Sequence, residues 1–328
     1  MRKRLITTFS ALALATTIGL VPTTSAQAEP DISDVQARVD RLYHEAEQAS
    51  ERYNDAKIEL DALQRDLDSL RADQERQDAE LGDVREQVQD SLLRQFEGQG
   101  ISAVGEVFVS DDPGAFLSQL STMSAYDNYQ DGLLDDYATE VKALDIRQSA
   151  TTTRLGQVSA TEEKLASEKA TIDDNLAEAE GLLEELKEEE RAAVLSRSSS
   201  AAPSAAPTDV PASGRAAAAV AYAMAQVGDS YVYGAAGPSA FDCSGLTMMA
   251  WAQAGVALPH SSSAQYSSGS RVSASDLQPG DLVFYYSPIS HVGMYIGNGL
   301  IAHAANPSSG VEVSELYSMP YVGAVRPG

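Results

Sequence analysis

The stretch "AFDCSGL", residues 240–246, holds the only cysteine of the chain, Cys243. A single cysteine cannot form an internal disulfide, so a crosslink survives only as an intermolecular bond. Two readings remain, a buried filler and a nucleophile. The surrounding residues bear on the choice. "FDCSGLTMMAWAQAG" reads as a helix with Asp242 at the N-cap and Gly255 at its end. Cys243 then falls at the helix N-terminus, where unpaired N–H groups and the dipole favour a thiolate. The same N–H groups can hold an oxyanion. This placement favours the nucleophile.

A thiol hydrolase needs a base, and the chain has four histidines. His44 lies between the apolar positions of a long helical stretch and reads as a solvated face residue. "PISHVGMYIGNGLIAHAAN" puts His291 and His303 on two strands joined by a glycine turn. A two-residue loop would set positions summing to 597 opposite each other, and His303 would face away from His291. A three-residue loop, Gly297-Asn298-Gly299, lowers the sum to 596. His303 then pairs with Gly293, on the face of His291 and diagonal to it. Three-residue loops commonly end in a glycine at positive φ, which suits Gly299. The expectation is the three-residue loop, with His291 as base and His303 as its orienter. One Cys and two His could also begin a zinc site. No further Cys or closely spaced acid completes the set, so no metal is expected.

The elements that must position these residues differ sharply along the chain. Net charge is −25, which argues against a nucleic-acid partner. Residues 31–195 carry 40 acidic and 16 basic side chains, and residues 214–328 carry 6 and 3. The start has the parts of a secretory signal: Arg2, Lys3 and Arg4, an apolar core from Leu5 to Val21, and a small-x-small site at Ala26-Gln27-Ala28. Residues 1–28 are therefore expected to be cleaved and the remainder exported. No later segment is apolar enough to span a bilayer.

From Ile32 the apolar positions step by three and four through Val35, Val39, Leu42, Ala46, Ala49 and Tyr53 to Leu70, and continue through Gln74 and Gln77 to Val88. A second stripe runs from Leu134 through Val141, Leu155, Leu165 and Ile172 to Leu186. These heptads predict a coiled coil over 31–195. The matched lengths suggest an antiparallel hairpin; the rival is pairing of each helix with another chain. An elbow at 98–129 contains glycines, Pro113 and a short helix "GAFLSQLSTM" with Phe116, Leu117, Leu120 and Met123 on one side. A self-packed elbow and a docking tip for a membrane partner are both open. Residues 196–214 form a Ser/Ala/Pro linker. About 115 residues, 215–328, then suffice for one compact domain.

Residues 215–328 resemble the NlpC family of papain-like cell-wall cysteine peptidases. The resemblance rests on "YVYGAAGPSAFDCSGL", "LPHSSSAQY", "LQPGDLVFY" and "ISHVGMYIGNGLIAHA", in the family's order and spacing. It implies an α+β papain-like domain, an antiparallel sheet with packed helices. It implies a Cys–His–polar triad on Cys243, His291 and His303, with Tyr231 at the oxyanion site and Asp242 and Ser244 in the pocket for the peptide stem. The implied reaction is hydrolysis of peptidoglycan stem peptides, often between D-glutamate and the diamino acid, without metal or organic cofactor. The family often has Arg at the position of His260, which leaves His260 as a loop residue with no chemical role. The coiled coil, linker and peptidase together look like Rip-type hydrolases and their division-linked relatives. That architecture implies septal action and control by an FtsEX-like membrane complex through the elbow. The expectation is a coiled coil that restrains the peptidase, by masking its cleft or holding it from the wall. The rivals are amidase or acyltransferase chemistry on the same fold, and a non-catalytic division scaffold.

Overall fold

The computed structural model describes residues 32–96, 113–186, 188–198 and 214–328. The expected signal segment, the 98–112 part of the elbow and residues 199–213 of the linker lie outside these. Helix α1 spans Ile32–Phe96, α2 spans Pro113–Glu184, and a short α3 spans Glu188–Ser198. The second long helix thus begins at Pro113, so "GAFLSQLSTM" is its first turns and no separate helix. Pro113 stands at a helix start, where its missing N–H costs nothing. Likewise α3 carries helix through Ser198, into the stretch expected as linker.

The two long helices pair with each other, antiparallel. Arg38 reaches Glu178 at 2.6 Å, Arg52 reaches Glu168 at 2.9 Å, and Arg154 reaches Asp66 at 3.1 Å. Near α3 the stripe is dry: Val35, Val39, Leu42, Ala179, Leu183 and Val194 form one buried cluster. Farther along, the expected stripe residues Leu134, Val141 and Leu155 are 49%, 42% and 44% exposed. Leu133, the neighbour of Leu134, is the buried residue there. Beside Val141 the seam is polar: Gln77 of α1 is buried and donates to Glu140 Oε2 at 2.8 Å, while Arg147 donates to the Gln77 amide oxygen. A satisfied polar layer occupies the seam at that point. Among the described residues no helix is long and apolar enough to cross a membrane.

The C-terminal domain begins with α4 (Gly214–Ala225), followed by the short parallel pair β1 (Ser230–Tyr231) and β2 (Ala240–Phe241), then α5 (Cys243–Gln253) and the single turn α6 (Ser262–Gln265). Six strands follow: β3 (Ser270–Val272), β4 (Leu282–Tyr285), β5 (His291–Gly297), β6 (Leu300–Asn306), β7 (Gly310–Glu315) and β8 (Tyr321–Arg326). They form one antiparallel sheet in the order β3-β8-β4-β5-β6-β7. Trp251, Leu282, Phe284, Val292, Met294 and Ile296 join α4 and α5 to one face of the sheet. Trp251 Nε1 donates to the Gly280 carbonyl at 3.2 Å, satisfying its polar tip inside the core. The other face buries Val283, Tyr285, Ile301, Leu316 and Ala324. This is the α+β papain-like arrangement, preceded by a helical hairpin.

The β5–β6 turn corrects the expected loop while keeping its register. Met294 pairs with Ala302 and Tyr295 with Ile301, sums of 596, but Gly297 pairs with Leu300. The loop therefore has two residues, Asn298 and Gly299, both at positive φ (55° and 73°), as a type I′ turn requires. A bulge between Tyr295 and Gly297 absorbs the extra residue. Turn and bulge together do what a three-residue loop would do, and His291 and His303 share a face.

Candidate active site

Cys243 is the first residue of α5, and Asp242 is its N-cap, accepting from Gly245 N at 2.6 Å. That turn allows no side chain at Gly245: an added Cβ would lie 2.2 Å from the Ala235 carbonyl oxygen. His291 starts β5 and His303 lies on β6; both are buried. His291 Nε2 is 2.7 Å from His303 Nδ1, and His303 Nε2 is 3.0 Å from Ser314 Oγ. A His291 ring nitrogen and the Cys243 sulfur lie within 4.8 Å of each other, and Nδ1 is the His291 nitrogen that His303 does not occupy. Tyr231 is buried and lines, with His291, His303 and Glu312, a cavity of about 340 Å³. The structure thus gathers Cys243, His291, His303, Tyr231, Asp242 and Ser244 into one locus.

The first helix lies across it. Glu47 of α1 meets His291 Nδ1 at 2.5 Å. One turn on, Glu51 accepts from Ser262 N at 2.5 Å, from Ser262 Oγ at 2.7 Å and from Ser244 Oγ at 2.7 Å, and lies 3.6 Å from Cys243 Sγ. Asn54 donates to Asp242 at 3.3 Å, and Asp55 accepts from Ser261 and Ser263. At the other side Tyr233 donates to the Tyr43 carbonyl at 3.0 Å, and the His44 ring packs 4.2 Å from that of Tyr286. His44 is therefore an interface residue, contrary to the expected solvated face. Residues 43–55 of α1 thus form a plug over the site.

The plug resets the electrostatics. Burial alone would raise the Glu47 carboxyl; the charge and hydrogen bond of His291, aided by His44, bring it below the usual range. Burial and then the Asp242 charge push Glu51 up to about 7, against its bonds to Ser262 and Ser244. Burial, then Glu51, Glu47 and Asp242, hold the Cys243 thiol well above its ordinary value. The thiolate expected from the helix N-terminus is thus suppressed here, because desolvation and three acids outweigh one helix dipole. Glu47, Cys243 and His291 also form a group with the donor types of a metal site, completed by an acid far away in sequence. Tetrahedral zinc would hold its ligand atoms about 3.3 Å apart or more. The 2.5 Å contact of Glu47 and His291 is instead a hydrogen-bonded pair.

His260 has a place that its loop position does not suggest. Its Nε2 lies 2.8 Å from Asp242 Oδ1. Burial opposes its charge, yet Asp242 and Glu51 raise its pKa on balance. With Gly234 N at 2.9 Å on the other oxygen, Asp242 is a hub that orients the start of α5. Sequence reasoning missed Glu47, Glu51, Asn54 and Asp55 altogether. The available signal was a second helical face, at intervals of four and three, beside the heptad stripe.

Residues 228–325 match the NlpC/P60 family. The C-terminal domain is an NlpC/P60 domain. Over 104 residues it is 47% identical to a probable endopeptidase of Corynebacterium glutamicum, covering 32% of this chain and 50% of the relative. Over 88 residues it is 54% identical to a probable endopeptidase of Mycobacterium tuberculosis, covering 27% of this chain and 23% of the relative. The chain thus spans half or less of the length of these relatives. Among solved structures, the NlpC/p60 domain of the peptidoglycan hydrolase SagA is 36% identical, covering 34% of this chain and 97% of that one, with a TM-score of 0.32. NlpC/P60 domains are cysteine peptidase domains, and Cys243, His291 and His303 supply the side chains such chemistry needs.

Proposed function

We propose that the protein is a secreted peptidoglycan endopeptidase whose own first helix holds it inactive. The observation that carries this reading is the pair of contacts from Glu47 to His291 and from Glu51 beside Cys243. In the released state the Cys243 thiol gives its proton to His291 Nδ1. The thiolate attacks a stem-peptide carbonyl, and Tyr231 with the N–H groups at the start of α5 holds the oxyanion. His291 returns the proton to the leaving amine, and then takes one from the water that cleaves the thioester. Asp242 and Ser244 contact the acyl half of the peptide. The bond cut is the D-glutamyl–diamino acid bond, as the family resemblance implies.

In the plugged state Glu47 occupies the nitrogen that must accept the thiol proton, and the raised thiol pKa removes the nucleophile. Of the two modes of restraint, masking of the cleft is the one these contacts support. Release falls to a membrane division partner of the FtsEX type acting at the 98–129 elbow, which would place the enzyme at daughter-cell separation. The test is digestion of defined muropeptides, with products read by mass spectrometry. Residues 214–328 should release the diamino acid fragment faster than the full chain. Cys243→Ala should release none from either. Equal rates for fragment and full chain would remove the restraint. Activity surviving Cys243→Ala would remove the peptidase.

A further inference from the structure

His303 pairs with Glu312 across β6 and β7. Glu312 and Ser314 are two residues apart on β7, so both lie on the face that carries His303. Ser314 Oγ donates to Glu312 Oε1 at 3.1 Å and lies 3.0 Å from His303 Nε2. The direct distance from His303 Nε2 to Glu312 Oε1 is 3.8 Å, too long for a hydrogen bond. The order along the chain is therefore His291, His303, Ser314, Glu312.

Its direction follows from its last member. An ionised carboxylate only accepts. The Ser314 proton points to Glu312, so the Ser314 oxygen accepts from His303 Nε2–H. A neutral imidazole protonated at Nε2 has a bare Nδ1. That bare nitrogen accepts, and His291 Nε2–H donates to it across 2.7 Å. In the plugged state His291 Nδ1–H donates to Glu47; once Glu47 withdraws, Nδ1 is the nitrogen left as the proton acceptor of the neutral ring. His303 stays neutral, because burial and then the neighbouring His291 hold its pKa well below the usual range.

We propose that Ser314 and Glu312 are positioning residues: they fix the tautomer of His303 and, through it, the nitrogen of His291 that takes the thiol proton. The proposal rests on the cysteine-peptidase reading of the same site. It assigns a purpose to a buried hydroxyl and to the acid beside it.

The test is nitrogen NMR of the full chain labelled at its four histidines, each assigned by a His→Gln variant. His303 should show a protonated Nε2 and a bare Nδ1. Glu312→Gln, whose amide donates as well as accepts, should mix the two tautomers, and so should Ser314→Ala. Ser314→Thr, which keeps the hydroxyl, should restore one. Turnover is read in a full chain carrying Glu47→Ala to loosen the plug. There Glu312→Gln should lower kcat about tenfold to a hundredfold, as loss of an outer orienting partner does, with KM within about twofold. An Nδ1-protonated His303 in the parent chain would overturn the proposal. So would an unchanged tautomer in Glu312→Gln, whatever its kcat. If the Glu47→Ala chain cuts no peptide at all, the peptidase reading fails instead, and the NMR result still decides the tautomer.

Discussion

The plug should open when Glu47 is truncated. Glu47 and His291 are both buried, 7% and 1% exposed, and meet at 2.5 Å. Removing one partner of a buried ion pair costs ~3–5 kcal/mol. The lower end applies, because His291 keeps its contact with His303 once Glu47 is gone. A loss of about 3 kcal/mol shifts docking by roughly a hundredfold, at ~1.4 kcal/mol per factor of ten. Cys243 is the only thiol and is buried, so iodoacetamide reports opening directly. Alkylation of the full-length Glu47→Ala chain should be about a hundredfold faster than that of the parent, and muropeptide release should rise with it. Glu45→Ala, at an exposed position of the same helix, should change neither. Equal alkylation of Glu47→Ala and parent would mean that the Glu47 contact does not hold the plug, and the masking argument would fall.

Three further perturbations have defined outcomes. Glu51 sits at a docked pKa of about 7, raised from 4.5. Docking is thus fully supported below about 4.5, weakens as pH rises through about 7, and by ~1.4 kcal/mol per unit loses about 3 kcal/mol in all. Cys243, its thiol raised by burial and the neighbouring acids, adds to that trend only at alkaline pH; Glu47, with its lowered pKa, works the other way only at acid pH. Alkylation normalised to residues 214–328 should climb from pH 5 to pH 8, and Glu51→Gln should flatten the climb; a flat parent profile would contradict the assignment. Gly245→Ala would drive a methyl into the Ala235 carbonyl at 2.2 Å, so melting should show a loss of about 2–3 kcal/mol. Arg326→Ala would strand the buried carboxylate of Asp281, now held at 2.7 and 2.8 Å, and urea unfolding should lose ~3 kcal/mol or more; a change below 1 kcal/mol, on the order of a surface pair, would show that water replaces the arginine.

Much of the site was legible because its residues follow local rules. Asp242 before an apolar run marked the cap, and the cap placed Cys243 at the helix start. Alternation along β5 and β6 set His291 beside His303. The route to that register was less legible: the sequence "GNG" is compatible with a three-residue loop or with a two-residue turn plus a bulge, and only the pairing of Gly297 with Leu300 decides between them. The heptads revealed the hairpin but overstated its seam, since periodicity does not say that buried Gln77 will bring Glu140 and Arg147 into it. Glu47 and Glu51 were not legible. A helix face looks solvated until its partner is known, and that partner lies about 190 to 240 residues later in sequence, as in the Glu51–Cys243 and Glu47–His291 contacts.

The acidity of the first part takes on a second meaning in this light. Most of its carboxylates lie on solvated helix faces, where they cost little. Glu51 does not: it is buried beside Asp242 at a raised pKa, so its docking is opposed by desolvation at neutral pH. Glu47 supplies the opposing sign, because His291 gives it a partner of opposite charge. One carboxylate thus binds the plug to the base while the next makes the fit costly. A plug built from two well-paired acids would be harder to displace, and one built from two unpaired acids would not seat. On the proposed reading, the mixed pair would hold the site closed with a margin of a few kcal/mol, on the scale of a single buried ion pair. A partner that bends or pulls α1 by its far end would then need to supply only about that much to expose Cys243.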